Sequence, residues 1–389
     1  MNQADYLSRI LEKPVERSLQ YNPVTVILGP RQCGKSTLAK MLSAYAHSLY
    51  LDLERPSDLQ KLDDAEWFLS TQSDRLVCLD EIQRKPEIFP LLRSMVDENR
   101  RPGMFLLLGS ASRDLLRQSS ESLAGRVSYK QLTPFLWGEI AQTQNLETYL
   151  ARGGFPQSLL ADTDEASYVW RRDFITTFLE RDLLQFAGFS PATMRRLWQM
   201  LAHLNGQTVN FSALGSSLGV SHTTIRGYID LLEGAFMLKQ VPPFAGNTKK
   251  RLVKSPRVYL TDTGILSALL NLRNFEHLAG HPVIGSLWES AVLINILGHF
   301  PDLDVSFYRT SSGAEVDFVV SDGPNRVAIE CKATVSPKLS PGNFTAIEDI
   351  HPKEVLVATP IDSGYSMKPG IQAVSLASLP EALGRALGR

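Results

Sequence analysis

Three apolar runs of strand length mark the first third of the chain. They cover residues 24–28, 76–79 and 105–108 and contain no charged side chain, as expected for strands buried on both faces. After the first run, apolar residues recur at helical spacing from Leu38 onward. The pattern predicts an α/β fold over residues 1–140.

The pattern then becomes helical, and Gly153, Gly154 and Pro156 interrupt it within residues 141–190. From residue 192 it predicts a tight turn at 219–220 and three helices, at 194–204, 211–218 and 221–232. Two alternating segments, 236–241 and 257–260, follow as strands. We therefore expect a helical lid or connector over residues 141–190 and a winged helix over residues 191–260.

The last part of the chain, residues 261–389, contains both helical and strand patterns of apolar residues. Residues 283–297 form an amphipathic helical pattern, and two strand patterns, 313–320 and 326–333, flank a turn at 322–325. The order predicts a C-terminal α/β domain built around a hairpin.

Composition narrows the class of protein. Of 389 residues, 43% are hydrophobic and 21% charged, which excludes collagen-like and disordered chains. The apolar runs are far shorter than the ~20 residues of a membrane span. The first residues do not form a signal peptide, so we expect a cytoplasmic protein without membrane contact. Three scattered cysteines do not predict a disulfide framework.

Charge is uneven along the chain. The net charge is -1, but residues 191–260 hold nine Lys and Arg against two Asp and Glu, a local +7. A basic block of this size is typical of a surface that binds a polyanion. A solvated basic face is the alternative.

The first strand run leads into a glycine-rich loop with the pattern G-x-x-x-x-G-K-[ST]. Such loops bind phosphate because the glycines let successive N–H groups point inward at a helix N-terminus. We expect Lys35 to reach the outer phosphates and Ser36 to bind Mg²⁺. The predicted nucleotide-binding residues are Gly29, Pro30, Arg31, Gln32, Cys33, Gly34, Lys35, Ser36 and Thr37.

Candidate catalytic residues follow the later strand runs. Asp80 and Glu81 end the second run, where a carboxylate can hold Mg²⁺ and another can activate water. Ser110 ends the third run and is a candidate sensor of the γ-phosphate. Arg126, after a glycine, could reach a γ-phosphate in its own or an adjacent subunit, or be a surface arginine.

The predicted winged helix carries candidate DNA contacts. Ser221 is predicted to cap its third helix, which displays polar side chains in its first turn. The segment between the two strands is basic. Winged helices also bind proteins, and that alternative stays open. The predicted DNA-binding residues are His222, Thr223, Thr224, Arg226, Lys249, Lys250, Arg251 and Lys254.

Carboxylates and a lysine gather in the C-terminal hairpin. The turn brings Asp317 close to Glu330, and strand alternation places Glu330 and Lys332 on one face. Glu289 lies on the preceding helical segment. Two or more carboxylates beside a cation can hold Mg²⁺ for phosphodiester hydrolysis. A domain that packs or binds DNA without cutting is the alternative.

These motifs resemble two known families. Nearly the whole chain is similar to bacterial and archaeal AAA-type ATPases whose C-terminal half is of unknown function. The matching stretches are GPRQCGKST at 29–37, LDEIQ at 79–83, LGSAS at 108–112, LAGR at 123–126, GGFP at 153–156, LERD at 179–182, YLTDTG at 259–264, EVDFV at 315–319 and ECK at 330–332. The hairpin, with EVDFV at 315–319 and ECK at 330–332, resembles the PD-(D/E)XK nuclease core, although Val316 replaces its proline.

The resemblance to the AAA-type family implies a P-loop ATPase core, a winged-helix segment and a restriction-endonuclease-like C-terminal domain. The resemblance of the hairpin implies that this last domain has the PD-(D/E)XK nuclease-like fold. It implies metal-ligand roles for Asp317 and Glu330, a water-orienting role for Lys332 and an accessory role for Glu289. Cys33 departs from the smaller or aliphatic residue of many P-loops, which predicts nucleotide binding that is sensitive to thiol reagents.

Two functional interpretations remain. The first is an ATP- and Mg²⁺-dependent ATPase that acts on DNA as a motor or remodeller, with nuclease capacity, in a homo-oligomer for which a hexamer is one candidate. The second is an ATP-dependent switch or scaffold whose nuclease-like domain is inert. The basic block and the hairpin carboxylates favour the first.

Overall fold

The computed structural model describes residues 6–44, 47–110, 123–182, 190–245 and 253–389. The chain divides into two compact units, the first made of residues 1–135 and 234–236, the second of 136–233 and 237–389. The predicted DNA-binding residues Lys249, Lys250 and Arg251 lie outside the described residues.

The first unit is built on a five-stranded sheet in the order β2-β3-β4-β1-β5. All of its pairings are parallel. Its strands are β1 (Val24–Gly29), β2 (Ser48–Asp52), β3 (Leu76–Asp80), β4 (Phe105–Ser110) and β5 (Val127–Gln131). Every residue of β1 and β3 is buried, which confirms the prediction from the apolar runs.

Helices cover this sheet. They are α1 (Glu12–Tyr21), α2 (Lys35–Ala44), α3 (Pro56–Gln60), α4 (Ala65–Ser70) and α5 (Phe89–Glu98), with short 3-10 turns at Ile82–Arg84 and Pro86–Ile88. A core that includes Val26, Leu79, Phe89 and Leu107 fills the space between the helices and the sheet. Because the strands are parallel, their carboxyl ends meet at one edge, where Gly29 aligns with Ser110 and Asp52 with Asp80.

The second unit begins with helices α6 (Trp137–Ile140), α7 (Leu146–Arg152), α8 (Pro156–Leu159) and α9 (Asp164–Thr177), followed by a π-helical turn at Phe178–Asp182. Arg171 of α9 is fully buried and donates to the carbonyl oxygens of Ala151 and Gly264, at 2.8 and 3.1 Å. The segment predicted as a lid is therefore tied into the second unit.

The three predicted helices and the hairpin are present. They are α10 (Pro191–His203), α11 (Phe211–Leu218) and α12 (His222–Gly234), followed by antiparallel β6 (Leu238–Val241) and β7 (Arg257–Leu260). The turn between α11 and α12 is tight, since a side chain on Gly215 would meet the carbonyl oxygen of Val220 at 2.7 Å. Ser221 caps α12 by accepting from the N–H of Thr224, at 3.0 Å, as predicted.

A six-stranded mixed sheet forms the rest of the second unit, in the order β12-β13-β11-β10-β9-β8. The strands are β8 (Asp304–Arg309), β9 (Glu315–Asp322), β10 (Asn325–Cys331), β11 (Glu354–Ala358), β12 (Tyr365–Lys368) and β13 (Ile371–Val374). The helices are α13 (Thr263–Leu269), α14 (Phe275–Ala279), α15 (Ile284–His299), α16 (Pro341–Ile350) and α17 (Leu379–Leu387). The antiparallel pairing of β9 with β10 confirms the predicted hairpin.

None of the helices in the described residues is both long enough and apolar enough to cross a membrane.

Candidate nucleotide site and carboxylate cluster

The glycine-rich loop connects the end of β1 to the first residue of α2. Gln32 and Gly34 both have positive φ angles, 61° and 102°. Gly29 is required by space, because a Cβ there would lie 2.1 Å from the carbonyl oxygen of Leu132. The curled backbone ends at the N-terminus of α2, which starts at Lys35, the arrangement in which loop N–H groups and a helix N-terminus can bind phosphate.

Lys35 is folded into this loop. Its buried ammonium group donates to the carbonyl oxygens of Gly29, at 3.1 Å, and of Pro30, at 2.8 Å. The cation thus lies at the loop where a bound phosphate would need it.

A second cation, Arg9, contacts the loop, and no motif in the sequence predicted this contact. Buried Arg9 donates to the carbonyl oxygens of Cys33, at 3.1 Å, and of Thr133, at 2.7 Å, and stacks on Phe135. Cys33 itself is fully buried, and this burial raises the pKa of its thiol. The predicted sensitivity to thiol reagents is therefore wrong for the folded protein, because little reactive thiolate is exposed.

Asp80 and Ser36 come together at the carboxyl edge of the sheet. Asp80 is buried, and its Oδ1 accepts from the N–H of Glu81 at 2.9 Å. Its Oδ2 accepts from the hydroxyl of Tyr50, which is also hydrogen-bonded to Ser36. Burial and then the Asp80 carboxylate raise the pKa of Tyr50, so the hydroxyl stays a proton donor.

This arrangement fits Mg²⁺. A serine hydroxyl and a carboxylate are hard oxygen ligands, and here one tyrosine hydroxyl bridges them. Tyr50 was missed in the sequence, where its strand has no motif. It reaches Asp80 because β2 pairs in parallel with β3.

Glu81 and Ser110 lie at the same edge. Glu81 follows the end of β3 with a left-handed backbone (φ 55°), and its carboxylate accepts from the side-chain amide of Gln83. Ser110 ends β4 beside Gly29, and its role as a sensor stays a prediction.

Arg126 lies elsewhere. Its carbonyl oxygen accepts from the N–H of Val24, at 3.3 Å, where β1 begins. Because β5 runs parallel to β1, with Val127 aligned to Val24, Arg126 is at the edge opposite Gly29, about 20 Å away along the strand at ~3.3 Å per residue. Its guanidinium is held by both oxygens of Asp97, at 2.5 and 2.9 Å. Contrary to one of our two predictions, it does not reach a phosphate in its own subunit.

In the second unit, the first turn of α12 presents the predicted polar face. His222, Thr223 and Arg226 are exposed and Thr224 is half-buried. The Arg226 guanidinium lies over the ring of Phe211, at 5.4 Å. The described remainder of the basic segment contributes exposed Lys254.

The C-terminal hairpin brings its acids together as predicted. Asp317 accepts through Oδ2 from the N–H of Cys331, at 2.9 Å. Lys332, the residue after β10, donates to Oε1 of Glu330, at 2.7 Å. We call Glu289, Asp317 and Glu330 the carboxylate cluster.

The carboxylate cluster is largely shielded from water. Burial, reinforced by the charge of Asp317, raises the pKa of Glu289 to about 8 and that of Glu330 to about 7. Glu289 accepts through Oε2 from the hydroxyl of Tyr259, at 2.8 Å.

We counted Arg257 in the basic block of residues 191–260 that was expected to bind a polyanion. The structure places it at the carboxylate cluster instead. It is buried, its Nη1 lies 3.4 Å from Oδ1 of Asp317, and it also pairs with Glu315. In the described part of the chain, no three His, Cys, Asp or Glu side chains form a group that could hold a metal ion. The predicted metal site at Asp317 and Glu330 is therefore not supported, because a guanidinium lies where the cation would bind.

Comparison with known families identifies the first unit as an AAA domain. A family model described as an AAA domain matches residues 21–141. Two models described as domains of unknown function, DUF8612 and DUF4143, match residues 143–276 and 284–379. Together with the glycine-rich loop, the AAA match defines an ATP-binding, P-loop ATPase of the AAA class.

An uncharacterized protein of Mycobacterium tuberculosis is 37% identical over 361 residues, which cover 92% of this chain and 81% of the relative. An uncharacterized protein of Haemophilus influenzae is 24% identical over 332 residues, covering 76% and 79% of the two chains. The chain belongs to the same family as the mycobacterial protein, with an AAA domain followed by two domains of unknown function.

Similarity to solved structures is weaker. The Walker-type ATPase of Pyrococcus abyssi aligns with a TM-score of 0.49 and 16% identity, over 69% of this chain and 97% of that one. The Holliday junction branch migration motor of Thermotoga maritima aligns with a TM-score of 0.29 and 19% identity, over 62% and 90%.

Proposed function

We propose that this AAA-type ATPase acts on DNA, which it binds through the first turn of α12. The observation that carries the proposal is the division of α12 into two faces. Ile225, Ile229 and Leu232 are buried, while His222 and Arg226 are exposed on the other side. A helix that follows a tight turn and presents polar side chains from its first turn suits the major groove.

Some of the positive charges near α12 support the same DNA-binding surface. Lys254 is exposed near the hairpin and can contact phosphate, whereas Lys239 faces Glu233 at 3.4 Å and Arg257 is buried. The proposed DNA surface is therefore narrower than the basic block of the sequence.

The proposed chemistry uses the edge of the first sheet. When nucleotide binds, Lys35 would exchange its hydrogen bonds to loop carbonyl oxygens for hydrogen bonds to phosphate. Glu81 would orient the attacking water. Ser36 and Asp80 are the residues that would hold Mg²⁺, which supplies charge neutralisation between phosphates when bound. Arg126 enters only in trans, as part of a homo-oligomer that we include in the proposal, with a hexamer as one candidate.

Fluorescence anisotropy of labelled duplex DNA tests the DNA surface. We expect Arg226→Ala to weaken binding several-fold and to lower the salt slope by about 1, because one phosphate or base contact is lost. Arg385→Ala is the matched control, since Arg385 is also exposed on a helix of the second unit. Equal affinity of the wild type and both variants would contradict the proposal.

A second candidate function, the ATP-dependent switch or scaffold, is favoured by one observation. Arg257 pairs with Asp317 in the nuclease-like domain, which supports an inert domain. ATP-dependent assembly without any effect of DNA on turnover, unchanged in Lys332→Ala, would favour this candidate over DNA action.

A further inference from the structure

The carboxylate cluster faces a cation that the chain itself supplies. We infer that Arg257 takes the place of a divalent metal beside Asp317 and keeps the carboxylate cluster closed to metal ions. The inference concerns the second unit alone and does not depend on DNA binding.

Arg257 is fixed in this position from several sides. Its side chain is 3% exposed and lies between Asp317, which is 11% exposed, and Glu315, which is 32% exposed. The guanidinium also stacks on the ring of Phe307, 4.8 Å from its centroid. A planar guanidinium held by two carboxylates and a ring has little freedom to withdraw.

The oxygens of Asp317 are already engaged. Oδ2 accepts from the N–H of Cys331 and Oδ1 faces Arg257. Glu330 gives Oε1 to Lys332, and Asn343 contributes a further side-chain hydrogen bond to this carboxylate. A Mg²⁺ ion at the cluster would have to displace these partners to gain its oxygen ligands.

Two cations of the chain already lie against these acids. Arg257 pairs with Asp317 and with Glu315, and Lys332 pairs with Glu330. An added divalent cation would therefore lie against a buried guanidinium, which is unfavourable at short range.

The cation and the acids come from separate elements of the second unit. Arg257 is on β7, whereas Glu289 is on α15 and the two other acids are on β9 and β10. A backbone hydrogen bond from Val253 to Arg309, at 3.1 Å, also joins the segment before β7 to β8. Strand β7 thus supplies Arg257, the cation that pairs with Asp317 of the carboxylate cluster.

Electron paramagnetic resonance of Mn²⁺ tests the inference on the full chain without nucleotide. The Ser36→Ala background removes the serine ligand of the nucleotide site, so bound Mn²⁺ reports on other sites. We expect this protein to bind no Mn²⁺ at millimolar concentration. Adding Arg257→Gln should create one binding site, and adding Asp317→Asn to that variant should abolish it.

Two results would overturn the inference. One is Mn²⁺ bound by the Ser36→Ala protein and lost in Ser36→Ala/Asp317→Asn, because the cluster would then hold metal with Arg257 in place. The other is a folded Arg257→Gln variant that gains no site, since Arg257 would then not be what excludes the metal. The first comparison needs no Arg257 variant, so it decides the question even if Arg257→Gln does not fold. Arg257→Lys is the control that keeps the positive charge and should bind no Mn²⁺.

Discussion

Replacing Arg257 by Met should destabilise the second unit markedly. The substitution keeps a long, flexible side chain against Phe307 but removes the cation beside Asp317. Asp317 would keep its hydrogen bond from Cys331 and lose its nearest positive charge.

The magnitude follows from the exposure of the two acids. Removing one partner of a buried ion pair costs about 3–5 kcal/mol. Asp317 is 11% exposed and falls in this class. Glu315 is 32% exposed, so water and salt screen it and its share is at most about 1 kcal/mol. We expect the free energy of unfolding to fall by about 3 kcal/mol.

Urea unfolding followed by tryptophan fluorescence measures this change. Four of the five tryptophans, at 137, 170, 198 and 288, are in the second unit. The buried Trp288 is adjacent to Glu289 in sequence and donates to the carbonyl oxygen of Ala358, at 3.0 Å. Fluorescence therefore reports mainly on the unit that contains Arg257.

Arg309→Met is the matched control. Arg309 is 44% exposed and lies 3.5 Å from the same Glu315, so its removal should cost less than about 1 kcal/mol. Combining Arg257→Met with Asp317→Asn should recover part of the loss, because no unpaired charge remains buried. Equal costs for the two arginines, or strictly additive effects in the double variant, would refute the reasoning.

Three further predictions concern single residues. Tyr50→Phe removes the hydroxyl that contacts Asp80, and we expect several-fold weaker binding of a fluorescent ATP analogue in Mg²⁺ but unchanged binding in EDTA; an equal loss in both buffers would contradict this. Gly29→Ala places a Cβ 2.1 Å from the Leu132 carbonyl oxygen, so nucleotide binding measured by calorimetry should be lost. Burial raises the pKa of Glu289 from 4.5 to about 8. Its contribution to the free energy of unfolding is therefore present at acid pH and is lost as the pH rises towards 8. In urea titrations at several pH values, Glu289→Gln should flatten the decrease of the free energy of unfolding with pH.

Local patterns predicted the strands, the glycine-rich loop and the hairpin because each is defined by neighbouring residues. Lys35 at the start of α2 and Glu330 beside Lys332 follow from the periods of the helix and the strand. Tyr50 and Arg257 were not assigned to their sites, because their partners are 30 and 60 residues away in sequence. Such contacts depend on which strands become neighbours.

Arg126 is another residue whose position depends on which strands become neighbours. Its position after a glycine suggested a γ-phosphate contact, but the sequence does not say at which end of β1 the residue lies. The parallel pairing of β5 with β1 sets that end, opposite the glycine-rich loop. Strand order, rather than the motif, decided this residue's distance from the nucleotide site.

The most direct test of the account is ATP turnover by the wild type and by Lys35→Ala, each with no DNA, single-stranded, duplex and four-way-junction DNA. We predict turnover that requires Lys35, rises severalfold with at least one DNA, and loses that rise in Arg226→Ala. Turnover that depends on Lys35 but ignores every DNA would contradict the proposed action on DNA, and turnover that survives Lys35→Ala would contradict the nucleotide site itself.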